Sequence, residues 1–455
     1  MKGSGDKLSL TTKLGFGVGD LGGNLFFTIV GFYLLFFLTE VAGLSAAVAG
    51  IALMIGKIWD AVTDPIVGYL SDRTHTRLGR RRPYMLWGSV ALFLLMVAAF
   101  TVPELPPPWK LVYVILALCL VNTAWTLVNI PYGALTPELT RDFHERTALN
   151  GYRMSFAVIG TFIGAAAVLP LVSLFGGSAT SGAGWSAMAV VMGGVMLLSG
   201  VITVLAVTER YQETTSVPEQ ALRSYLAVLK LKEFRTILIP WSLHVTGINV
   251  IQASLLYYFA VIFGSEEGFQ VALPILLAAA ITCIPVWVQI SKRIGKKRSY
   301  NIGMAIFAAA VVVFFFIGHR MPIEISYILM AVAGTGFAAH YVMPFAMIPD
   351  VVEFDAITNG KRREGVFYGL WTFVAKIGQA LGLGLNGLLL TVAGYQQGGA
   401  TQSDSAVLAI RLLVGPIPAL LFVTAILVLL GYPITEEVYE KLIAGDNGGQ
   451  TDVVG

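Results

Sequence analysis

The chain has 455 residues, of which 56% are hydrophobic and 13% charged, with a formal net charge of +3. A water-soluble domain cannot hide that much apolar surface, and so small a positive charge, gathered in short loops, gives no case for a nucleic-acid-binding surface. Cys119 and Cys283 both fall in apolar stretches and form neither a disulfide framework nor a metal-ligand spacing.

From the N-terminus, Met1 to Leu10 is polar and lacks the apolar region of a signal peptide. Apolar windows of about 20 residues then recur along the chain. They predict twelve membrane spans, over 13–38, 45–70, 83–102, 109–136, 147–175, 185–207, 236–263, 270–290, 300–318, 324–348, 365–393 and 407–432. The 49 glycines suit closely packed membrane helices. Connecting loops alternate in character. Arg73 through Arg82, Arg141 to Arg146, 208–235, Lys292 through Arg298 and Lys361 to Arg363 are basic, whereas 39–44, 103–108, 176–184, 264–269 and 394–406 carry almost no Lys or Arg. The basic set is expected to face the cytoplasm, and an even number of spans puts both termini there too, in the cell (inner) membrane.

The polar segment 208–235 divides the chain into an N-terminal six-helix bundle, 1–207, and a C-terminal one, 236–433, followed by a cytoplasmic tail, 434–455. An internal repeat supports the division. Arg77-Leu-Gly-Arg-Arg-Arg-Pro-Tyr84 follows the second span and Arg293-Ile-Gly-Lys-Lys-Arg-Ser-Tyr300 the eighth. Pro131-Tyr-Gly-Ala-Leu-Thr-Pro-Glu138 near the end of span four is echoed by Pro344-Phe-Ala-Met-Ile-Pro-Asp350 near the end of span ten. Two parallel six-helix halves around a midplane site is the major-facilitator architecture, so the expected fold is an all-α membrane protein of twelve transmembrane helices in two pseudo-symmetric bundles.

Charges inside these spans are the candidates for function. Asp20, Lys57, Asp60 and Asp64 all lie in apolar surroundings, where a charge at the bilayer centre costs at least ~2.5–3.5 kcal/mol and usually lines an internal cavity. Lys57, Asp60 and Asp64 are spaced i, i+3, i+7, on one helix face. Two carboxylates one turn apart can hold a small hard cation such as sodium, or share a proton. A structural Lys57–Asp60 pair alone leaves the second buried carboxylate unexplained. Lys376 is the corresponding mid-span charge of the second half, in span eleven.

Gly19-Asp20-Leu-Gly-Gly-Asn24, Lys57-Ile-Trp-Asp60-Ala-Val-Thr-Asp64-Pro65, Asn129-Ile-Pro-Tyr132 and Pro349-Asp350…Gly360-Lys-Arg-Arg-Glu-Gly365 together span nearly the whole chain. They resemble the glycoside–pentoside–hexuronide:cation symporters, a melibiose-permease-like family of the major facilitator superfamily. The resemblance implies a secondary symporter coupling sodium or proton entry to sugar uptake, with the cation on Asp60 and Asp64, completed by Thr126 and Asn129. Melibiose permease has an aspartate where this chain has Asn129, so melibiose itself is not the favoured substrate, and an arginine where this chain has Lys57. Lys57 and Lys376 are implied as coupling residues. Asp20 and Arg153 match positions that hydrogen-bond the sugar, joined by Asn24. Aromatic residues that could stack on sugar C–H faces are Tyr33, Trp125, Tyr132 and Trp371. Gly68-x-x-x-Asp72-Arg73 followed by Gly79-Arg80-Arg81 resembles the superfamily's loop 2–3 signature, which implies a cytoplasmic gate at Asp72, Arg73, Arg80 and Arg81. Snorkelling is the alternative for Lys376, a structural salt bridge for Asp20 and Arg153, and topology-setting charge for the gate.

His244, His340 and Asn249 either finish the site from the second half or bond neighbouring helices. Glu138, Asp142, Asp350, Glu353, Arg362 and Glu364 crowd the expected cytoplasmic helix ends, as gate pairs or as solvated charges. The runner-up function is a sodium-dependent lysophospholipid symporter, a branch that shares the Trp-Asp-Ala-x-x-Asp-Pro run. Asp20 weighs against it, since a sugar needs an acceptor there and an acyl chain does not. No nucleophile–base or metal-ligand spacing of an enzyme appears, and no filter-like repeat of a channel. The expected partners are a small-molecule substrate, a coupling cation and the bilayer, with no cofactor and a monomer as the functional unit.

Overall fold

The computed structural model describes residues 7–140, 143–209, 221–360, 363–399, 401–434 and 438. Asp142 and Arg362 lie outside them. Among the described residues there is no strand, and twelve helices are long and apolar enough to cross a membrane. They are Leu10–Phe32, Ala46–Arg73, Arg82–Ala99, Pro107–Thr136, Ala148–Gly176, Gly182–Ala206, Lys232–Ile262, Glu266–Ile294, Lys296–Arg320, Ile323–Asn359, Glu364–Val392 and Asp404–Leu429, numbered here as spans one to twelve. The protein is therefore a multi-pass membrane protein.

Local chemistry explains where the helices begin and end. Ser9 caps span one by accepting from the Thr12 N–H at 3.1 Å, and Ser181 caps span six through the Gly184 N–H. Prolines open spans three and four, where the missing N–H has no intrahelical partner to lose. Gly360, at φ +63°, ends span ten in a left-handed turn.

Four features depart from the sequence expectation. Span one stops at Phe32 and is followed, after one turn, by a π turn over Phe37–Val41. Span seven ends in a second π turn, Tyr258–Ile262. Span ten runs to Asn359, eleven residues past the apolar stretch, because ion pairs to Asp350 and Asp355 stabilise its polar end. The segment 208–235 contains a short helix, Ala221–Lys230.

The described residues pack into two compact units. One takes those within 1–216, 252–274 and 383–409, the other those within 217–251, 275–382 and 410–455. In the first unit, close approach of backbones replaces side-chain interlocking: a Cβ at Gly160 would sit 2.2 Å from the Leu21 carbonyl oxygen. Trp185, stacked on Phe100 and tilted against Phe37, fills the unit near the ends of spans three and six. In the second unit Phe307, Phe422 and the ring of His244 form the aromatic interior.

Candidate cation and substrate site

Span two carries Lys57, Asp60 and Asp64 on the face that meets span four. Asp60 is fully buried, Lys57 is buried and Asp64 half-buried. The Thr126 hydroxyl of span four lies 3.0 Å from Asp60 Oδ1 and 3.2 Å from Asp64 Oδ1. A hydroxyl has one proton, so it can donate to just one of these carboxylates at a time. The other then faces an oxygen lone pair, and such a convergence of oxygens suits a hard cation or a proton. Thr63, a residue the sequence reading overlooked, adds a hydroxyl 3.4 Å from Thr126 Oγ1 while donating to the Asp60 carbonyl. Lys57 Nζ is 3.5 Å from Asp60 Oδ2 and 5.4 Å from the centre of the Phe27 ring. Asn129 is half-buried, one turn beyond Thr126 on span four.

Asp20 and Arg153 meet elsewhere in the same unit. Arg153 Nε donates to Asp20 Oδ2 at 2.6 Å, and the Tyr132 hydroxyl reaches the same oxygen at 3.0 Å and the Phe16 carbonyl at 2.8 Å. The guanidinium also lies over the Tyr132 ring, 4.8 Å from its centre. Gly19 permits the arrangement, because a Cβ there would be 2.5 Å from the Tyr132 ring. Asn24 donates to the Asp20 carbonyl, 2.9 Å away. Both charged side chains remain partly open to solvent, so the pair is a salt bridge that exchange with another polar partner can reach.

The aromatic candidates fare differently. Tyr33 is a correction: it is fully buried against Trp185 and Phe269 and donates to the Ala165 carbonyl at 2.9 Å, so its ring and hydroxyl are occupied by packing. Trp125 is buried, stacked on Phe26 at 5.0 Å with its edge contacts to Phe27. In the second unit Trp371 is buried in a parallel stack on Trp241, at 4.8 Å, which also stacks on the ring of His340 and meets Phe345 edge-on. His340 Nδ1 lies 3.1 Å from His244 Nδ1, which is 3.0 Å from the Tyr300 hydroxyl. These histidines thus tie spans seven, nine and ten together, the helix-bonding alternative of the sequence reading. Asn249 turns back to the Val245 carbonyl of its own helix. Lys376 is half-buried on span eleven.

A second charged constellation belongs to the first unit. Glu138 is fully buried and pairs with both Arg80 and Arg81, the latter through Nε at 2.9 Å. Arg81 also holds Asp72 at 3.0 Å. Burial pushes the Glu138 carboxyl above its usual range, and the two arginines pull it back. Arg73, expected with this group, instead lies over the Tyr69 ring at 4.0 Å. Glu209 was not foreseen. Its carboxylate accepts the successive backbone N–H groups of Arg80, Arg81 and Arg82 at 2.9, 2.9 and 3.2 Å. Partners that are backbone amides leave no trace in sequence.

The match to known proteins decides the family. A family model described as "MFS/sugar transport protein" covers residues 15–436. The chain belongs to the MFS/sugar transport family. An uncharacterized symporter of Synechocystis is 32% identical to this transporter, over 96% of this chain and 97% of the relative. The isoprimeverose transporter of Lactiplantibacillus pentosus is 29% identical, over 95% and 90%. Sodium-dependent lysophosphatidylcholine symporter 1-A of Danio rerio is 28% identical, over 94% and 87%. Among solved structures, a D-xylose-proton symporter superimposes with a TM-score of 0.67 at 15% identity, over 91% of this chain and 96% of that one; that likeness establishes the major-facilitator fold. The protein is a membrane transporter and not an enzyme.

Proposed function

We propose that the protein is a secondary active symporter that couples the entry of sodium, or of a proton, to the uptake of a glycoside, pentoside or hexuronide by alternating access. The observation that carries this is the Thr126 hydroxyl within hydrogen-bonding reach of both Asp60 and Asp64. With Lys57 beside them, the three charges sum to one net negative charge, which one sodium ion or one proton neutralises. Occupancy removes the repulsion between the two carboxylates, and Asn129 and Thr63 offer further oxygens to a sodium shell. Asp20, Arg153, Asn24 and Tyr132 take the sugar: the carboxylate accepts from hydroxyls and the guanidinium fork donates. Their present mutual bonds are the ones a sugar replaces. Trp125 supports the first unit's site by packing on Phe26 and Phe27, while Trp371 packs on Trp241 within the second unit. Lys57 and Lys376 are assigned to coupling, and Asp72, Arg80 and Arg81 to the cytoplasmic gate. Both termini are assigned to the cytoplasmic side of the cell membrane, and each chain works as a monomer.

A lysophospholipid is the second reading, favoured by the likeness to the Danio rerio symporter over most of both chains. Uptake into proteoliposomes under an inward sodium gradient, with labelled glycosides and a labelled lysophospholipid offered side by side, separates the two. Sodium-driven sugar accumulation supports the main reading, and lysolipid uptake without sugar uptake replaces it. Within that assay Asp64→Asn is expected to abolish cation-stimulated uptake with expression intact; undiminished stimulation in the variant would remove Asp64 from the cation site.

A further inference from the structure

Spans one and seven hold equivalent places in the two sequence halves, and each ends in a π turn, Phe37–Val41 and Tyr258–Ile262. Such turns are uncommon and gather at functional sites. Both belong to the first compact unit, which therefore includes ends from both halves of the sequence. There the buried Thr39 hydroxyl lies 2.6 Å from the Tyr257 hydroxyl. The Tyr257 ring meets Phe36 and Tyr395 edge-on, at 5.5 and 5.4 Å. Nearby, the Ala47 N–H donates to Thr391 Oγ1 at 2.6 Å, and Gly50 and Gly387 pack backbone to backbone. At this end the unit is shut.

Glu40, next to Thr39 in the first π turn, is the one carboxylate bonded into this closure among the described residues. It accepts the Tyr395 hydroxyl at 3.0 Å through Oε1 and the Gly398 N–H at 2.8 Å through Oε2. Gly398 presents that N–H from a left-handed turn, φ +63°, which other residues adopt at a cost. Burial, with Tyr257 and Glu40 beside it, holds the Tyr395 phenol far above its usual range, so it remains a proton donor at any physiological pH. The aromatic and glycine packing beneath needs no charge. A half-buried carboxylate, however, can exchange its two donors for water when the end opens, so the bonds are reversible while still favouring the shut arrangement.

We propose that Glu40 is the latch of a gate at this end of the transporter: it ties the segment after span eleven to the end of span one while the end is shut, and releases it when the end opens. This goes beyond the choice of cargo and holds for a sugar or a lipid alike. The test is a distance measurement on the full-length transporter in nanodiscs, free of substrate, so that its failure is separate from any failure of the transport reading. Spin labels go on Ser178→Cys and Thr401→Cys, both exposed, with Cys119 and Cys283 replaced by serine. The ratio of the long-distance to the short-distance population should rise at least about tenfold in Glu40→Ala and Glu40→Gln, and several-fold in Tyr395→Phe, as charge-assisted bonds are lost. Tyr395→Phe removes one hydroxyl and keeps the result decisive if Glu40→Ala is not produced. Distance distributions of Glu40→Gln and Tyr395→Phe that superimpose on the parent's would overturn the proposal.

Discussion

The loop after span two and the loop after span eight come from one sequence echo, and the structure uses them in parallel but with unequal strength. Gly79 and Gly295 both take positive φ, +106° and +84°, to turn into the next helix. The following basic residue reaches the acid that comes after the echoed proline on the helix two spans on: Arg80 to Glu138 in the first half, Lys296 to Asp350 in the second, with Lys296 Nζ 2.6 Å from Asp350 Oδ2. In each half the end of the sixth span clasps this loop. Glu209 accepts three backbone N–H groups, while Lys297 donates to the Leu430 and Tyr432 carbonyls at 2.6 and 2.9 Å. The difference is burial. Glu138 is 0% exposed and shared by two guanidinium forks, whereas Lys296 has 43% of its side chain in the open. A buried pair costs a great deal to break but contributes modestly to make, and an exposed pair does little either way. The echo preserves where the charges stand; the arginine fork and the packing around it decide what they are worth.

Substitutions in the two loops and their partners test this asymmetry. The largest effect is expected for Glu138→Ala, which leaves two buried guanidinium groups without their shared carboxylate and should cost about 3–5 kcal/mol in thermal or denaturant unfolding of the purified transporter. A loss no greater than that of Asp350→Ala would erase the distinction between the halves. Next comes a paired comparison of Gly79→Ala with Gly295→Ala. Both place a side chain at positive φ, for about 1–3 kcal/mol, but a Cβ at Gly79 also meets Glu209 Oε1 at 2.5 Å, whereas nothing lies within 4 Å at Gly295. The first variant should therefore unfold at a clearly lower temperature than the second; equal midpoints would mean that Glu209 yields freely and does not hold the loop. The smallest effect is expected for Lys296→Ala, within about 0–1 kcal/mol and shrinking as salt is added. A salt-insensitive loss above that range would show the second-half pair to be as tightly held as the first.

Much of the candidate site was legible because membrane burial makes charge conspicuous. Asp20, Lys57, Asp60 and Asp64 stood out as costly residues in apolar runs, and helical spacing put Lys57, Asp60 and Asp64 on one face; Arg153 was legible only through the family resemblance. Glu138 could be placed at a crowded helix end but not as the centre of the arginine cluster, since solvated and buried acids read alike in sequence. Tyr33, Trp125 and Trp371 are candidates in sequence for stacking on a sugar, yet their rings are buried against Trp185, Phe26 and Trp241. An aromatic residue in an apolar span satisfies the same pattern whether it faces a cavity or another ring. The two π turns and the Glu40 bonds had no signal at all, because a wider helical turn leaves the apolar pattern intact.

The sequence by itself determined the membrane class, the twelve spans, the repeat and the carboxylate pair, since each follows from hydrophobic length, charge cost or helical period within one segment. Tertiary structure alone decided which partner each charge takes, and which rings are already spent on packing. It also decided that Glu209 and Glu40 bind backbone amides across long separations in sequence. Those outcomes depend on the meeting of side chains and amides hundreds of residues apart, a geometry that no local pattern encodes.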